Sequence, residues 1–364
     1  MLTRNILLIP GPLTTSKKVT STLLKDYSAR EDYFINSIKS VRKNLLKISN
    51  TNQDDYTTIL MQGSGTYGNE SVISSLPDKS KITVFSNGLY GDRLKEISKR
   101  YNKLHNYIEE PNNKQITPTL FENNIKYCTS SHIALVHNET TSGILNPINK
   151  LIPIAKKYNK KIIVDAISSY GGIPIDISNL DIDYLIGSSN KCLHGHPGMS
   201  FIIAKKNTLE ECKTNKSNLS LNLYEQYLDF ETSDQFRFTP PVQIVNSLSK
   251  AINELKNKGG IVSRYDNYTI LNTIIYDELI DLGFKPYLER DINSPIVSTY
   301  IIPDYLTNFN FDVFARNLKK HKIILYPSPI NNPNLIRIGN IGDISINELR
   351  ISLTIFKDEL MKFI

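Results

Sequence analysis

The run DIDYLIGSSNKCLHGHPG places one lysine where lysine is least expected. Tyr184 to Gly187 reads as a buried strand, and Ser188, Ser189 and Asn190 lead from it into Lys191 and then a Gly-x-Pro-Gly turn. Lysine is rare at the mouth of a core strand unless it is paired or reactive. An amine held in a pocket with a depressed pKa can attack a carbonyl and form a Schiff base. A lysine lying along the surface with its head in water would need no such chemistry. Asp165 ends another apolar run, KKIIVD, 26 residues before Lys191. A carboxylate there is costly unless partnered: it either caps the following AISSYGG or faces a buried cation. A third strand end reads QGSGT. Its glycines would let backbone N–H groups approach an anion, with hydroxyls from Ser64 and Thr66 and the helix dipole behind them. An ordinary strand-to-helix turn has the same letters, and the Gly-Lys-Ser/Thr of a nucleotide loop is missing.

Joined, the three signals say more than any one. A phosphate cradle, a carboxylate and a lysine at three strand ends meet the needs of pyridoxal phosphate, which has a phosphate, a ring nitrogen that must stay protonated and an aldehyde that takes an amine. Tyr90, in SNGLYG, could lay its ring on the pyridine face. Arg337, in LIRIGNIG, is an arginine in a chain that favours lysine, and its fork of donors suits a carboxylate; a surface ion pair is the plainer use.

These residues need a frame. Strand-like and helix-like segments alternate, as in an α/β chain with a mostly parallel sheet. YTTILMQG, KITVFSNG, HIALVHNET, KKIIVDA, DYLIGSS and MSFIIAKK read as strands, and TYGNESVISSL and NPINKLIPIAKKYN as helices, the second with Asn146 as N-cap and Pro147 at its first position. In open parallel sheets ligands sit beyond the carboxyl ends of the strands, which is where the candidate residues fall. After about residue 255 the texture changes. GGIVSRYDNYTILNTIIYDELIDLGF reads as a long helix broken by glycines, SPIVSTYIIP and KIILYPS as strands of a smaller antiparallel sheet, and NELRISLTIFKDELMKFI as a closing amphipathic helix. The expected organisation is an N-terminal segment and large α/β domain over 1–255 and a small C-terminal α+β domain over 256–364.

The chain resembles the class V, fold-type I pyridoxal-phosphate aminotransferases. The segments that carry the resemblance run nearly end to end: LMQGSGTYG, VFSNGLYGDR, HIALVHNETTSGILNPI, IIVDAISSYGGIPIDI, DYLIGSSNKCLHGHPG, SLNLYEQY, FRFTPP and IRIGNIG. The resemblance implies pyridoxal 5'-phosphate as cofactor, with Lys191 as Schiff-base lysine and proton shuttle and Asp165 as partner of the ring nitrogen. It implies Ser64, Gly65 and Thr66 as phosphate cradle with Asn190 nearby, Tyr90 stacked on the ring and Thr140 on its hydroxyl side. Thr239 would reach the phosphate of a neighbouring subunit, making a homodimer part of the site, and Arg337 would hold the carboxylate of pyruvate or alanine. The implied activity moves the amino group of 2-aminoethylphosphonate to pyruvate. Alanine–glyoxylate or serine–pyruvate transfer on the same fold is the alternative. Arg93 and Arg30 are further candidates for the phosphonate, and no metal is expected.

Composition narrows the rest. With 364 residues and 40% hydrophobic content the chain can bury a large core. No apolar run reaches a membrane span, and the opening MLTRNILLIPGPLTT is cut by Pro10 and Pro12, so neither a span nor a signal peptide is expected. Three unpatterned cysteines read as reduced thiols of a cytoplasmic protein. The net charge of +7 comes from scattered lysines without an aromatic-laced stripe, so no nucleic-acid partner is expected.

Overall fold

The computed structural model describes residues 2–364. Its centre is a seven-stranded sheet in the order Tyr56–Gln62, Met199–Lys205, Tyr184–Ser188, Lys161–Asp165, His132–Val136, Ile82–Ser86 and Leu104–Glu109. Met199–Lys205 runs antiparallel to both of its neighbours, and every other pairing is parallel. Helices cover both faces of a parallel sheet, so its inner strands are apolar almost throughout. Ile133, Leu135, Ile162, Val164, Leu185 and Ile186 are accordingly fully buried. The exception is the edge strand Leu104–Glu109, which is half exposed and mostly polar.

The C-terminal part builds a three-stranded antiparallel sheet from Lys285–Pro286, Val297–Ile301 and Leu335–Gly339. The segment KIILYPS does not join it: only Ile323–Ile324 is extended, and it pairs in parallel with Ile6–Leu7. Leu2, Ile6 and Leu8 therefore pack in one cluster with Leu271, Phe314, Ile336 and Phe356. The larger cluster fills both faces of the main sheet. A small third cluster, with Cys192, Tyr268 and Ile341, draws on both parts of the chain.

Two local expectations are corrected. The helix over residues 148–157 begins at Ile148 with Pro147, not Asn146, at the N-cap. Asn146 is instead buried, donating to Val136 O and exchanging hydrogen bonds with Asn87, so its side chain is not free to cap. The helix Gly260–Asp281 is continuous for 22 residues. Its glycines lie at the start, where Gly259 and Gly260 take positive φ, and so they break nothing.

Candidate active site

The carboxyl ends of the parallel strands share one edge of the sheet, and the loops that leave it bring most of the sequence candidates together. Asp165 is the last residue of its strand and is buried. Its Oδ2 accepts from Asn69 Nδ2 at 2.7 Å and its Oδ1 from the Ile167 amide at 2.9 Å. Burial pushes this carboxyl's pKa up. The Asn69 and Ile167 hydrogen bonds, and then the charges of Arg93 and Lys191, pull the other way. Asn69 had no signal of its own in the sequence beyond its place one helical turn after Gly65. Its Oδ1 is buried without a partner.

Lys191 follows the neighbouring strand. Its Nζ donates to Pro10 O at 2.8 Å. Burial brings its pKa down to about 8, with Arg337 and Arg93 adding to the fall and Cys192 and Asp165 opposing it. The Pro10 carbonyl was not legible in the sequence, where Pro10 and Pro12 stood out only as ending the apolar opening. Gly11 has φ +124°, a backbone conformation that favours glycine, and it passes close against the Lys191 side chain. Asn190 is half-buried, and its Oδ1 accepts from Ser188 Oγ at 2.7 Å.

The turn after Tyr56–Gln62 passes through Gly63, at φ +109°, into the helix Gly65–Ser75. Ser64 is the N-cap, yet its hydroxyl makes no capping bond, and the residue is exposed. Thr66 Oγ1 accepts from Arg93 Nη1 at 3.2 Å. The Arg93 guanidinium lies 4.9 Å from the centre of the Tyr90 ring. An uncapped helix start with two hydroxyls beside it is a fitting anion cradle.

Tyr90 opens the helix Leu89–Arg100, whose first turn is held by a residue the sequence reading passed over. Glu139 is fully buried and accepts from the amides of Tyr90 and Gly91 at 3.2 Å each and from the amide and hydroxyl of Thr141 at 3.0 and 2.5 Å. Burial raises its pKa, and the Thr141 and Gly91 hydrogen bonds oppose the rise. An acid inside the apolar-flanked VHNETT was the available signal.

Thr140 is buried, and its carbonyl accepts from Arg337 Nη1 at 2.5 Å. Arg337 comes from the small antiparallel sheet, opposite Thr299. It is 8% exposed, its Nε has no partner, and no carboxylate lies within ion-pair distance among the described residues. Burial lowers its pKa, opposed by Tyr90 and Glu139. Two candidates lie apart from this group. Thr239 is exposed, with its carbonyl accepting from Gln62 Nε2 at 2.6 Å, and it shares a separate hollow of about 360 Å³ with Arg30 and Phe238.

The donor set suits pyridoxal phosphate: an amine near its working pH, a buried carboxyl that would gain a cation, an open helix start for the phosphate and an aromatic ring beside it. A model of the family described as Aminotransferase class-V matches residues 15–301. The 2-aminoethylphosphonate–pyruvate transaminase of Lysinibacillus sphaericus is 40% identical over 342 residues, 93% of this chain and 92% of that one. The enzyme of the same name from Phocaeicola vulgatus is 37% identical over 343 residues, 93% of this chain and 94% of its own. The crystal structure of ureidoglycine–glyoxylate aminotransferase from Bacillus subtilis superposes with a TM-score of 0.90 over 100% of this chain and 94% of that one, at 18% identity, a likeness of fold. The fold is the fold-type I architecture and the cofactor is pyridoxal phosphate. A match over most of the length, by family and by relatives alike, makes this chain a member of the class-V aminotransferases.

Proposed function

We propose that this chain transfers the amino group of 2-aminoethylphosphonate to pyruvate, giving phosphonoacetaldehyde and L-alanine, or runs the reverse. Its relatives' names supply the substrates, and the observation that carries the reading is Arg337. A guanidinium buried without a carboxylate is costly, and an incoming acid is what relieves it. Bound pyridoxal phosphate supplies the aldehyde that takes the amine and the ring that draws electrons from the carbon bearing it.

The chain's own groups do the rest. Ser64, Gly65 and Thr66 hold the phosphate, with Asn190 close by and Thr239 of a second subunit completing the cradle in a homodimer. Asp165 accepts the ring N–H and keeps it charged, with Asn69 and the Ile167 amide fixing the carboxylate plane. Tyr90 packs on one ring face, and Thr140 lies on the hydroxyl side. Lys191, with its pKa brought down to about 8, would hold the cofactor through its aldehyde and would serve as the amine that carries the proton of the substrate carbon bearing nitrogen. Arg337 binds pyruvate through its fork of donors. Arg93, over Tyr90 and beside Thr66, is a second guanidinium for the phosphonate dianion, and this favours the phosphonate donor over the alanine–glyoxylate alternative. Unbridged cysteines Cys128, Cys192 and Cys212 suit a cytoplasmic setting, and no described helix is long and apolar enough to cross a membrane.

The test is a panel of amino donors read by the cofactor's absorbance, with each half-reaction measured in single turnover. 2-Aminoethylphosphonate should react fastest. Losing a desolvated charge-assisted contact costs about 2–5 kcal/mol. Arg337→Ala should therefore raise the pyruvate KM by about two orders of magnitude, and Arg337→Lys should restore part of it, because a point charge cannot replace a fork. An unchanged pyruvate half-reaction in Arg337→Ala would place the carboxylate site elsewhere.

A further inference from the structure

Only two arginines are buried among the described residues, Arg337 and Arg264, and both are 8% exposed. Neither has a carboxylate within ion-pair distance. Arg337 belongs to the substrate site. Arg264 lies on the first turns of the helix Gly260–Asp281 and lines a different cavity, of about 390 Å³, between that helix and the start of Ile346–Leu360. The one hydrogen bond its side chain makes to the protein is from Nη1 to Cys192 O, at 2.6 Å.

The other charges of the cavity are unevenly committed. Asp343 and Glu348 are both engaged by Arg4, at 3.1 and 2.9 Å, and Asp343 also by Lys258, at 2.9 Å. Three cations, Arg4, Lys258 and Arg264, thus face two carboxylates, and the cation left over is the buried one. His194 also lines the cavity and is hydrogen-bonded to Tyr268 at 2.5 Å; burial, Arg264 and Lys258 all disfavour its charged form, so it stays neutral and leaves the excess of positive charge as it is. Gly259, the N-cap of Gly260–Asp281, offers no side chain, so the first amides of that helix have no capping acceptor. Lys258, 58% exposed at its side chain, stands at the rim, paired with Asp343.

We propose that this cavity is a second anion site, distinct from the transamination centre, and that it takes a small tetrahedral oxyanion such as phosphate or a phosphonate. Arg264 offers a fork of N–H groups, Lys258 a point charge, and the helix start its free amides; together they match an ion with three or more acceptor oxygens. Because Arg264 also holds the carbonyl next to Lys191, the site adjoins the segment that carries the catalytic amine.

The experiment is calorimetric titration of the holoenzyme with inorganic phosphate, methylphosphonate and acetate, in an Arg337→Met, Arg93→Met background that removes both guanidinium groups of the substrate site. One phosphate or methylphosphonate per chain should still bind, with acetate much weaker. Arg264→Gln should lower that affinity by about tenfold or more, as expected for a buried charge-assisted contact. Lys258→Ala, which removes only a mostly exposed ion pair with Asp343, should lower it by about threefold, in the range of an exposed charge. Preference between phosphate and methylphosphonate tells a free ion from an organic phosphonate. The proposal is overturned if neither ion binds in that double-variant background, if both changes leave the affinity unmoved, or if acetate binds as tightly.

Discussion

Lys191 is a lysine whose environment has been arranged to make it an amine. Burial and two guanidinium groups bring its pKa down to about 8, and its one hydrogen bond is given to a neutral carbonyl, that of Pro10. An amine attacks an aldehyde only when unprotonated. The cofactor-free chain should therefore take up pyridoxal phosphate slowly below pH 7, faster as pH rises through about 8, and at a constant rate above about 9, followed by the growth of the cofactor's bound absorbance. Arg337 is one of the charges that depress this pKa, so Arg337→Met should move the rise to higher pH. An unchanged midpoint would mean that the two residues do not sense each other. Lys191→Ala should abolish both the bound absorbance and turnover while leaving the fold intact.

Among the elements, the helix Leu89–Arg100 depends on a cap from elsewhere. Gly88 gives it no side chain, and Glu139, on the short strand Asn138–Glu139, reaches across to the amides of Tyr90 and Gly91. A buried acceptor of several amides is worth more than a surface cap, because its removal leaves those donors unpaired. Glu139→Ala should cost about 2–4 kcal/mol in urea unfolding, within the range for a broken buried network. It should also loosen Tyr90, seen as weaker cofactor retention. Glu139→Gln, which keeps the shape, should lose less of both. Elements like these also mark how far the sequence could be read. The inner strands were legible because both faces are buried and the letters are apolar without a break. The edge strand Leu104–Glu109, with LHNYIE, was not, since it lacks both that run and a clean alternation. Lys191, Asp165 and Arg337 stood out as charges against apolar runs. Asn69, Glu139 and the Pro10 carbonyl did not, because each matters through a partner many residues away. Asn146 looked like a cap for the same reason: a local pattern cannot show that Asn87 has already claimed the side chain.

For the whole molecule, the N-terminal segment is the tie between the two parts. Leu2, Ile6 and Leu8 pack in the C-terminal cluster, Arg4 holds Asp343 and Glu348, and Pro10 meets Lys191. Deleting residues 2–8 removes three buried apolar side chains and both ion pairs, so the truncated chain should melt at least about 10 °C lower, an expectation that follows from burial losses of several kcal/mol. It should lose cofactor on gel filtration although Lys191 and Asp165 are untouched. A truncated chain as stable as the whole would show that the cluster closes without those residues.

The pairing of Ile6–Leu7 with Ile323–Ile324 also has a meaning in time. A chain leaves the ribosome in order, and its first residues wait for a partner made more than three hundred positions later. Until that partner emerges, the strand that leads to Pro10 has no neighbour, and the carbonyl that orients the lysine has no anchor. A product cut short before Ile323 can hold the whole central sheet, with Asp165 and Lys191 at their strand ends, and still lack a settled amine. The order of Pro10 against Lys191 thus rests on a strand pair closed across most of the described chain.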